Sequence, residues 1–336
     1  MAPIFDTAFC RLVGIPLPIV QAPIGGMAVP ELVAAVSNAG GLGMLSVTWD
    51  EPDELETKLA RARALTDRPV GVNMVLVWPM EEHLRRCLDA GVRIVSTTWG
   101  DPAHLVSVAH GAGAIVLHTV SDVPEARRAV DAGVDVIVAQ GWEAGGHVRG
   151  DVATMALVPA VVDAVGAIPV VAAGGIGDGR GVAAALMLGA SAAWLGTRFV
   201  MSVEAPALQP YRDRMVAADA TSTVYSSMFD GGWPDAPHRT LRNSTTDNWE
   251  AAGRPPPGQR PGEGETIGSW SDGESIPRYG SDAPRIGASG DVEAMSMYAG
   301  QSVGLIDDVR PAGEIVRQLA DEAATALKAG AGLVLP

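Results

Sequence analysis

Short apolar runs alternate with helix-like segments over about residues 16–200 of the chain. Most of these runs lack an alternation of apolar and polar positions, which is typical of strands that are covered on both faces. The segments between them, such as VPELVAAVSNAGG, have a proline near the start and a glycine just past the end, as helices often do. The predicted strands lie at about residues 16–24, 41–48, 69–76, 92–98, 114–119, 134–140, 168–174 and 192–197.

Eight successive strand–helix units predict an α/β fold, and specifically a closed (β/α)8 TIM barrel. An open doubly wound sheet is the alternative, but such a sheet usually has about five or six strands and a reversal of strand order. Glycines recur at the ends of the predicted helices, as in SNAGGLG and LDAGVRI, where a left-handed residue commonly ends a helix. We therefore expect the residues that follow each strand to meet at one mouth of a barrel.

The composition changes at about residue 221, where Gly, Pro, Ser and Asp become frequent. A flexible linker and a loop-rich cap over the barrel mouth both fit this composition, but Trp233, Trp249 and Trp270 favour the cap. The predicted domains are a barrel at residues 1–220, a cap and substrate region at 221–298, and a C-terminal segment at 299–336 that returns to the barrel. The cap is thus inserted after the eighth strand and its helix, and RPAGEIVRQLADEAATALKAG predicts an amphipathic C-terminal helix.

The composition also argues against several classes of protein. With 47% hydrophobic and 19% charged residues and no apolar run that could span a bilayer, the 336 residues predict a soluble globular protein without a membrane partner. No secretory signal is recognisable, so we expect a cytoplasmic location. A formal net charge of −15 disfavours nucleic acid as a partner. Cys10 and Cys87 have no metal-ligating spacing, so no metal is expected; a homodimer is left open.

The stretch AQGWEAGGHVRG, residues 139–150, follows the sixth predicted strand. Its paired glycines, Gly145 and Gly146, allow positive φ angles and a close approach of the backbone to a flat ligand. His147 comes next, and an imidazole with an ordinary pKa of about 6.5 can accept a proton at neutral pH. A glycine-rich turn with an exposed histidine is the alternative. The position directly after a barrel strand favours a functional loop.

Two further glycine-rich loops, AAGGIGDGRG and LGTRF, follow the seventh and eighth predicted strands. Loops at these places in a barrel often bind a phosphate group through their backbone N–H groups. The segment contains neither the GxGxxG pattern of a Rossmann fold nor the GxxxxGK of a P-loop. The candidate phosphate-binding residues are Gly174, Gly175, Gly196 and Thr197.

Two polar residues on predicted strands have more than one interpretation. Asn73, in GVNM on the third strand, is either a ligand-binding amide or a buried amide whose hydrogen bonds are satisfied within the protein. His118, near the end of the fifth strand, either faces the mouth or lies in the core. The pattern alone does not decide between these alternatives.

Taken in order, PIVQAPIGGM, SNAGGLG, GVNM, AQGWEAGGH, VVAAGGIGDG and LGTRF resemble the nitronate monooxygenase family, whose members are FMN-dependent barrel enzymes. The resemblance covers about residues 12–202 and resumes with AGQSVGLIDD at 299–308. It implies an FMN whose phosphate lies at the candidate glycines and Thr197. It also places the isoalloxazine ring near Ala22, Pro23, Asn73 and Gln140.

The same resemblance implies that His147 is the catalytic histidine. The family typically has GGHRG, whereas here Val148 separates His147 from Arg149. The implied reaction starts with His147 removing the α-proton of a nitroalkane, or holding a nitronate that is already formed. FMN then takes one electron from the nitronate, and O2 converts the product to a carbonyl compound and nitrite.

Two other functions fit the same motifs. Flavin-dependent enoyl-carrier-protein reductases share EAGGH, AAGGI, GTRF and an AGQ-type segment, so an NAD(P)H-dependent flavin reductase is the second hypothesis. A related group of NADH:quinone reductases resembles ECAGH where this chain has EAGGH, which counts against a quinone as the substrate. A barrel that binds a phosphorylated ligand without catalysis is the hypothesis outside enzymes.

Overall fold

The computed structural model describes residues 5–233 and 235–333. Eight parallel strands form a closed barrel, and the last of them pairs with the first through Trp194 and Val20. This closure confirms the predicted TIM barrel and excludes the open sheet. The barrel strands are β1 (Ile19–Gln21), β2 (Leu42–Ser46), β3 (Val70–Val75), β4 (Ile94–Thr98), β5 (Ile115–Val120), β6 (Val136–Gln140), β8 (Val170–Ala173) and β9 (Ala192–Leu195), with the two-residue β7 (Gly146–His147) in the loop after β6.

Helices follow the strands as the sequence predicts. Pro30 occupies the first turn of the second helix, and the Asp122 side chain caps the sixth by accepting from the N–H of Glu125 at 2.7 Å. Gly40 and Gly91 end their helices with φ angles of 100° and 83°, in the left-handed region that favours glycine. The helices are α1 (Ala8–Val13), α2 (Pro30–Asn38), α3 (Pro52–Leu65), α4 (Glu81–Asp89), α5 (Ala103–Gly111), α6 (Val123–Asp131), α7 (Thr154–Val165), α8 (Gly179–Met187), α9 (Thr197–Val200), α10 (Gln209–Val216), α11 (Ser244–Ala251) and α12 (Ala312–Ala331).

The core has two layers because neighbouring residues of a strand point to opposite faces of the sheet. Leu117 and Val138 belong to the cluster inside the barrel, whereas Val116 packs between the strands and the surrounding helices. Phe9 and Cys10 of α1 join the inner cluster and close the barrel at the end opposite the loops that follow the strands. These loops therefore surround the open end.

The segment at residues 221–298 is folded onto this open end. Its strands β10 (Thr223–Ser226) and β11 (His238–Leu241) form a small sheet with β7, and β12 (Thr266–Trp270) pairs with β13 (Ser275–Pro277) and β14 (Ala288–Gly290) in a second sheet. Trp233, Phe229 and Tyr279 are buried. A loop-rich cap is therefore confirmed in place of a flexible linker, and it is joined by backbone hydrogen bonds to the loop that carries His147.

The chain then returns to the barrel. Arg310 pairs with Ser202, and α12 packs against α8 and α2 through an apolar face that includes Ile315 and Leu319. This confirms the predicted amphipathic C-terminal helix. The domain boundaries near residues 220 and 298 stay a prediction. The outer limits of the first and last predicted domains, residues 1 and 336, lie outside the described residues.

None of the helices in the described ranges combines the length and the apolar character that a bilayer crossing requires.

Candidate active site

A cavity of about 510 Å³ lies between the strand ends and the cap. This size is typical of a site for a small molecule or cofactor. The cavity brings together every site residue that the sequence predicts. They are Ala22, Pro23, Asn73, Gln140, Gly145, Gly146, His147, Gly174, Gly175, Gly196 and Thr197.

The loop after β6 is held in place by its own side chains and by the C-terminal segment. Glu143 accepts a hydrogen bond from the N–H of Thr154 at 2.8 Å, which ties the loop to the start of α7. A Cβ on Gly145 would lie 2.4 Å from the backbone nitrogen of Gly300, so only glycine fits where these two backbones meet. The buried Arg239 stacks on the Trp142 ring with its guanidinium carbon 4.3 Å from the centroid. The loop is thus fixed by contacts with α7, with the C-terminal segment and with the cap.

His147 lies in β7, opposite His238 of β11. Gln140 donates to the backbone oxygen of His147 at 3.2 Å, and the imidazole stacks on Trp233 with ring centroids 4.2 Å apart. The Nε2 atom is buried and has no hydrogen-bond partner among the described residues. Burial lowers the pKa of His147 to about 3, and the neighbouring His238 acts in the same direction. The imidazole is therefore neutral at pH 7.

His238 supports this arrangement as a second neutral imidazole. Its Nε2 accepts a hydrogen bond from the N–H of Phe229 at 3.2 Å, so its Nδ1 carries the proton and donates to the Ala236 oxygen at 2.9 Å. Burial lowers the pKa of His238 as well. The two bonds hold both ends of the cap loop that carries Trp233.

The buried histidines predict how stability depends on pH. The pKa of His118 is lowered to about 4 by burial and that of His147 to about 3, whereas an unfolded histidine titrates at 6.5. Below the unfolded pKa the unfolded chain binds more protons than the folded protein, so the free energy of unfolding falls as the pH falls. Each histidine contributes at most about 1.4 kcal/mol per pH unit.

Urea denaturation of the wild-type protein and of His118→Asn between about pH 7 and pH 5 checks this expectation. We expect the variant to lose stability less steeply on acidification than the wild type does. Parallel curves for the two proteins would contradict the expectation. Because the carboxylates are the same in both proteins, their titration cancels in the comparison.

The glycines after β8 and β9 shape the opposite side of the cavity. Gly174 has a φ of 98°, and a Cβ there would lie 2.8 Å from the Gly141 oxygen. Gly196 has a φ of −102°, and a Cβ there would make only an ordinary contact with the Cβ of Ala22 at 3.6 Å. The hydroxyl oxygen of Thr197 accepts from the N–H of Gly300 at 3.0 Å, so its own proton is free to be donated into the cavity. Backbone N–H groups beside a free hydroxyl are suited to a phosphate group.

Asn73 combines the two interpretations that its pattern leaves open. It is buried, and its amide donates to the hydroxyl of Ser96 at 2.6 Å, yet the residue also lines the cavity. His118 is resolved differently. It alternates with Leu117 and Thr119, which face the barrel interior, so its side chain points outward, where its Nδ1 lies 2.8 Å from the hydroxyl of Thr97.

Val148 is the residue at which the loop departs from the family pattern. Its side chain is fully buried, and its N–H donates to the Pro237 oxygen at 2.9 Å, so the extra residue anchors the loop to the cap. Arg149, displaced by one position, pairs with Glu125 at 2.9 Å. The position of His147 is unaffected by this difference, because His147 is the last residue of β7 and Val148 comes after the strand.

Several residues that line the cavity are not among the predicted site residues. Trp99 follows β4 directly and Trp49 follows β2 closely, so their position after a strand could have identified them. Trp233, Arg285 and Tyr298 reach the cavity from the cap, far along the chain from the barrel strands. No local signal distinguishes these three positions.

A family model described as nitronate monooxygenase matches residues 6–83 and 78–322 of the chain. The chain belongs to the nitronate monooxygenase family. This membership confirms the resemblance seen in the motifs and the prediction of an oxidoreductase.

Individual relatives in and around the nitronate monooxygenase family carry different names. One relative is a Mycobacterium tuberculosis protein named (3aS,4S,5R,7aS)-5-hydroxy-7a-methyl-1-oxo-octahydro-1H-indene-4-carboxyl-CoA dehydrogenase. The two sequences are 37% identical over 251 residues, and the aligned region covers 74% of this chain and 69% of the relative. The chain is 34% identical over 268 residues to a probable nitronate monooxygenase of Staphylococcus aureus, covering 66% and 75% of the two chains.

Two solved structures share the fold over nearly the whole chain. FabK from Thermotoga maritima has a TM-score of 0.84 and 32% sequence identity, covering 98% of this chain and 100% of its own. Nitroalkane oxidase from Streptomyces ansochromogenes has a TM-score of 0.77 and 31% identity, covering 96% and 99%. The shared fold therefore includes the cap as well as the barrel.

Proposed function

We propose that this protein uses FMN and O2 to oxidise alkyl nitronates, and nitroalkanes after their deprotonation, to carbonyl compounds and nitrite. The observation that carries the proposal is the Nε2 atom of His147, a residue that lines the cavity. This atom is buried and has no hydrogen-bond partner in the part of the chain that the structure describes. A buried polar atom without a hydrogen bond is costly to the fold, so a ligand that satisfies it is expected. Family membership and the named nitroalkane oxidase relative support the same reaction.

The residues of the cavity fit an FMN. Gly174, Gly175 and Gly196 line the cavity, where their backbone can meet a phosphate group, and Thr197 offers a hydroxyl donor there. The side chains of Asn73 and Gln140 lie among the strand ends, where they can meet the polar edge of a flat ring. When bound, the flavin supplies the redox chemistry, receiving an electron from the nitronate that O2 finally accepts.

His147 supplies the proton chemistry. Its lone pair is free at neutral pH because burial keeps the imidazole unprotonated. A base with so low a pKa is weak by itself, but removal of the α-proton creates a nitronate anion next to the new imidazolium. Opposite charges about 4 Å apart attract by about 4 kcal/mol at an effective dielectric constant of about 20. This attraction is enough to return the pKa of His147 towards its ordinary value, so proton transfer becomes feasible only with substrate in place.

The overall reaction balances without another reductant. Two nitronate anions and one O2 give two carbonyl compounds and two nitrite ions. Each carbon–nitrogen double bond is replaced by a carbon–oxygen double bond, and the electrons are accepted by oxygen. A neutral nitroalkane releases one additional proton, which His147 receives and passes to water.

A dehydrogenase or reductase that works with NAD(P)H is the second candidate. The 37% identity to a protein named as a carboxyl-CoA dehydrogenase favours it. Such a reaction needs access of a hydride donor to the flavin.

Anaerobic stopped-flow mixing separates the two candidates. We expect propyl-1-nitronate to bleach the flavin absorbance and NADH or NADPH to leave it unchanged, since the electrons of the proposed reaction come from the nitronate. Bleaching by NADH or NADPH but not by the nitronate would establish the second candidate instead. An oxygen electrode and a nitrite assay then measure the stoichiometry of one O2 per two nitrite ions.

A further inference from the structure

Tryptophans from separate loops gather at one side of the cavity. Trp49 follows β2, Trp78 follows β3, Trp99 follows β4, and Trp233 comes from the cap. The ring centroid of Trp233 lies 6.2 Å from that of Trp49, 5.5 Å from that of Trp78 and 4.8 Å from that of Trp99. We call these residues the tryptophan cluster. Trp233 is its central member and also the residue that stacks on His147.

Part of the cluster faces the cavity and remains uncovered. Trp49, Trp99 and Trp233 line the cavity, whereas Trp78 packs behind them. Trp49 is 54% exposed although it is among the largest apolar side chains of the protein. Exposed aromatic surface at the rim of a cavity is typical of a binding site for an apolar group.

The backbone of Trp99 gives a second, independent observation. Its φ is 58°, in the left-handed region, which a bulky residue rarely adopts. Such a conformation costs about 1–3 kcal/mol and is found mainly at functional sites. Trp99 nevertheless occupies this position, and its ring lines the cavity. The next residue, Gly100, has a φ of 80°, which glycine adopts without strain.

The charges around the cavity argue against a second acidic group on the substrate. Among the described residues, the charged side chains that line it are Asp282 and Arg285, which pair with each other at 3.0 Å. Arg285 also stacks on Trp270 with its guanidinium carbon 4.0 Å from the centroid, and it lies against Gly26 in the loop after β1. Arg149 lies beside the tryptophan cluster, with its guanidinium carbon 5.9 Å from the Trp99 ring centroid, but it pairs with Glu125 at 2.9 Å. The cations described beside the cavity and the cluster are therefore each paired with a carboxylate, and the net charge of −15 repels a dianion.

We propose that the tryptophan cluster is the specificity subsite of the enzyme, and that it receives an apolar ring attached to the nitronate carbon chain. This inference rests on the proposed function. The ring packs against Trp49 and Trp99 while the nitronate group meets His147, which already touches the cluster through Trp233. Nitronates with an apolar ring are the preferred substrates, and a nitronate that also carries a carboxylate is the poorest.

A matched series of substrates tests the subsite. 2-Phenylethyl-1-nitronate, propyl-1-nitronate and propionate 3-nitronate share the same CH2–CH=NO2⁻ group and differ only in phenyl, methyl or carboxylate at its end. We expect kcat/KM to be at least about tenfold higher for the phenyl compound than for the propyl compound. Trp49→Ala should remove most of this preference, whereas Trp249→Ala, a cap tryptophan outside the cavity lining, should keep it.

A binding assay keeps this inference separate from the proposed reaction. 3-Phenylpropionate, butyrate and succinate are unreactive carboxylates of the same shapes, and their binding to the full-length holoprotein is measured by the change in flavin absorbance. We expect 3-phenylpropionate to bind about tenfold more tightly than butyrate, with succinate weakest, and Trp49→Ala to abolish the difference. Tightest binding of succinate, or an unchanged preference in Trp49→Ala, would overturn the subsite. Absence of nitronate oxidation with the binding preference intact would overturn only the reaction.

Discussion

Replacement of His147 by asparagine is expected to lower kcat/KM for neutral nitroalkanes by about 100- to 10,000-fold, which is the usual contribution of a general base. Asparagine keeps a polar side chain of similar size but has no lone pair of sufficient basicity to take the α-proton. A nitronate that is already formed needs no proton removal, so its oxidation should fall by about tenfold or less. The comparison of the two substrates therefore isolates proton transfer from binding and electron transfer.

The matched control for this experiment is His118→Asn. His118 is also a buried histidine of the barrel with a lowered pKa, but its side chain points away from the cavity. We expect nitroalkane turnover by this variant to stay close to that of the wild type. The flavin absorbance of both variants reports whether the cofactor is still bound. Retained nitroalkane turnover in His147→Asn, with nitrite release measured directly, would refute the role of His147 as the base.

Substitution of Gly196 by alanine is expected to weaken FMN binding by about 10- to 100-fold. In the protein itself the new methyl group is tolerated, because its nearest neighbour is the Cβ of Ala22 at 3.6 Å and the φ of −102° suits any residue. The methyl group enters the space in which we place the phosphate of FMN. Overpacking of a filled site costs about 1–3 kcal/mol, which corresponds to the stated change in affinity.

Gly111→Ala is the control for the added methyl group. Gly111 ends α5, and a Cβ there meets no atom within 4 Å. Flavin content after purification and the FMN dissociation constant, measured by recovery of flavin fluorescence on dilution, should match the wild type in this variant. If Gly196→Ala held FMN as tightly as the wild type with unchanged circular dichroism, the phosphate would have to lie elsewhere.

The barrel and the list of loops around its mouth follow from local patterns. Each strand is a short apolar run, and helix ends such as Gly40 and Gly91 have the left-handed conformation that the sequence pattern predicts. In a barrel the residues after every strand converge, so finding the strands also finds the loops that line the cavity. For this reason Gly145, His147 and Gly196 could be chosen from the sequence before their contacts were known.

The environment of these residues was decided by the tertiary structure. Trp233 lies 86 positions after His147 in the chain, and no periodicity relates the two, yet the pairing of β7 with β11 stacks their rings. Burial by that contact sets the pKa of His147, since a pKa depends on desolvation and neighbouring charges rather than on residue type alone. The tryptophan cluster arises in the same way, from loops that are local in space but distant in sequence. Sequence by itself determined which groups are present at the barrel mouth, and only the packing of cap on barrel decided their protonation and their partners.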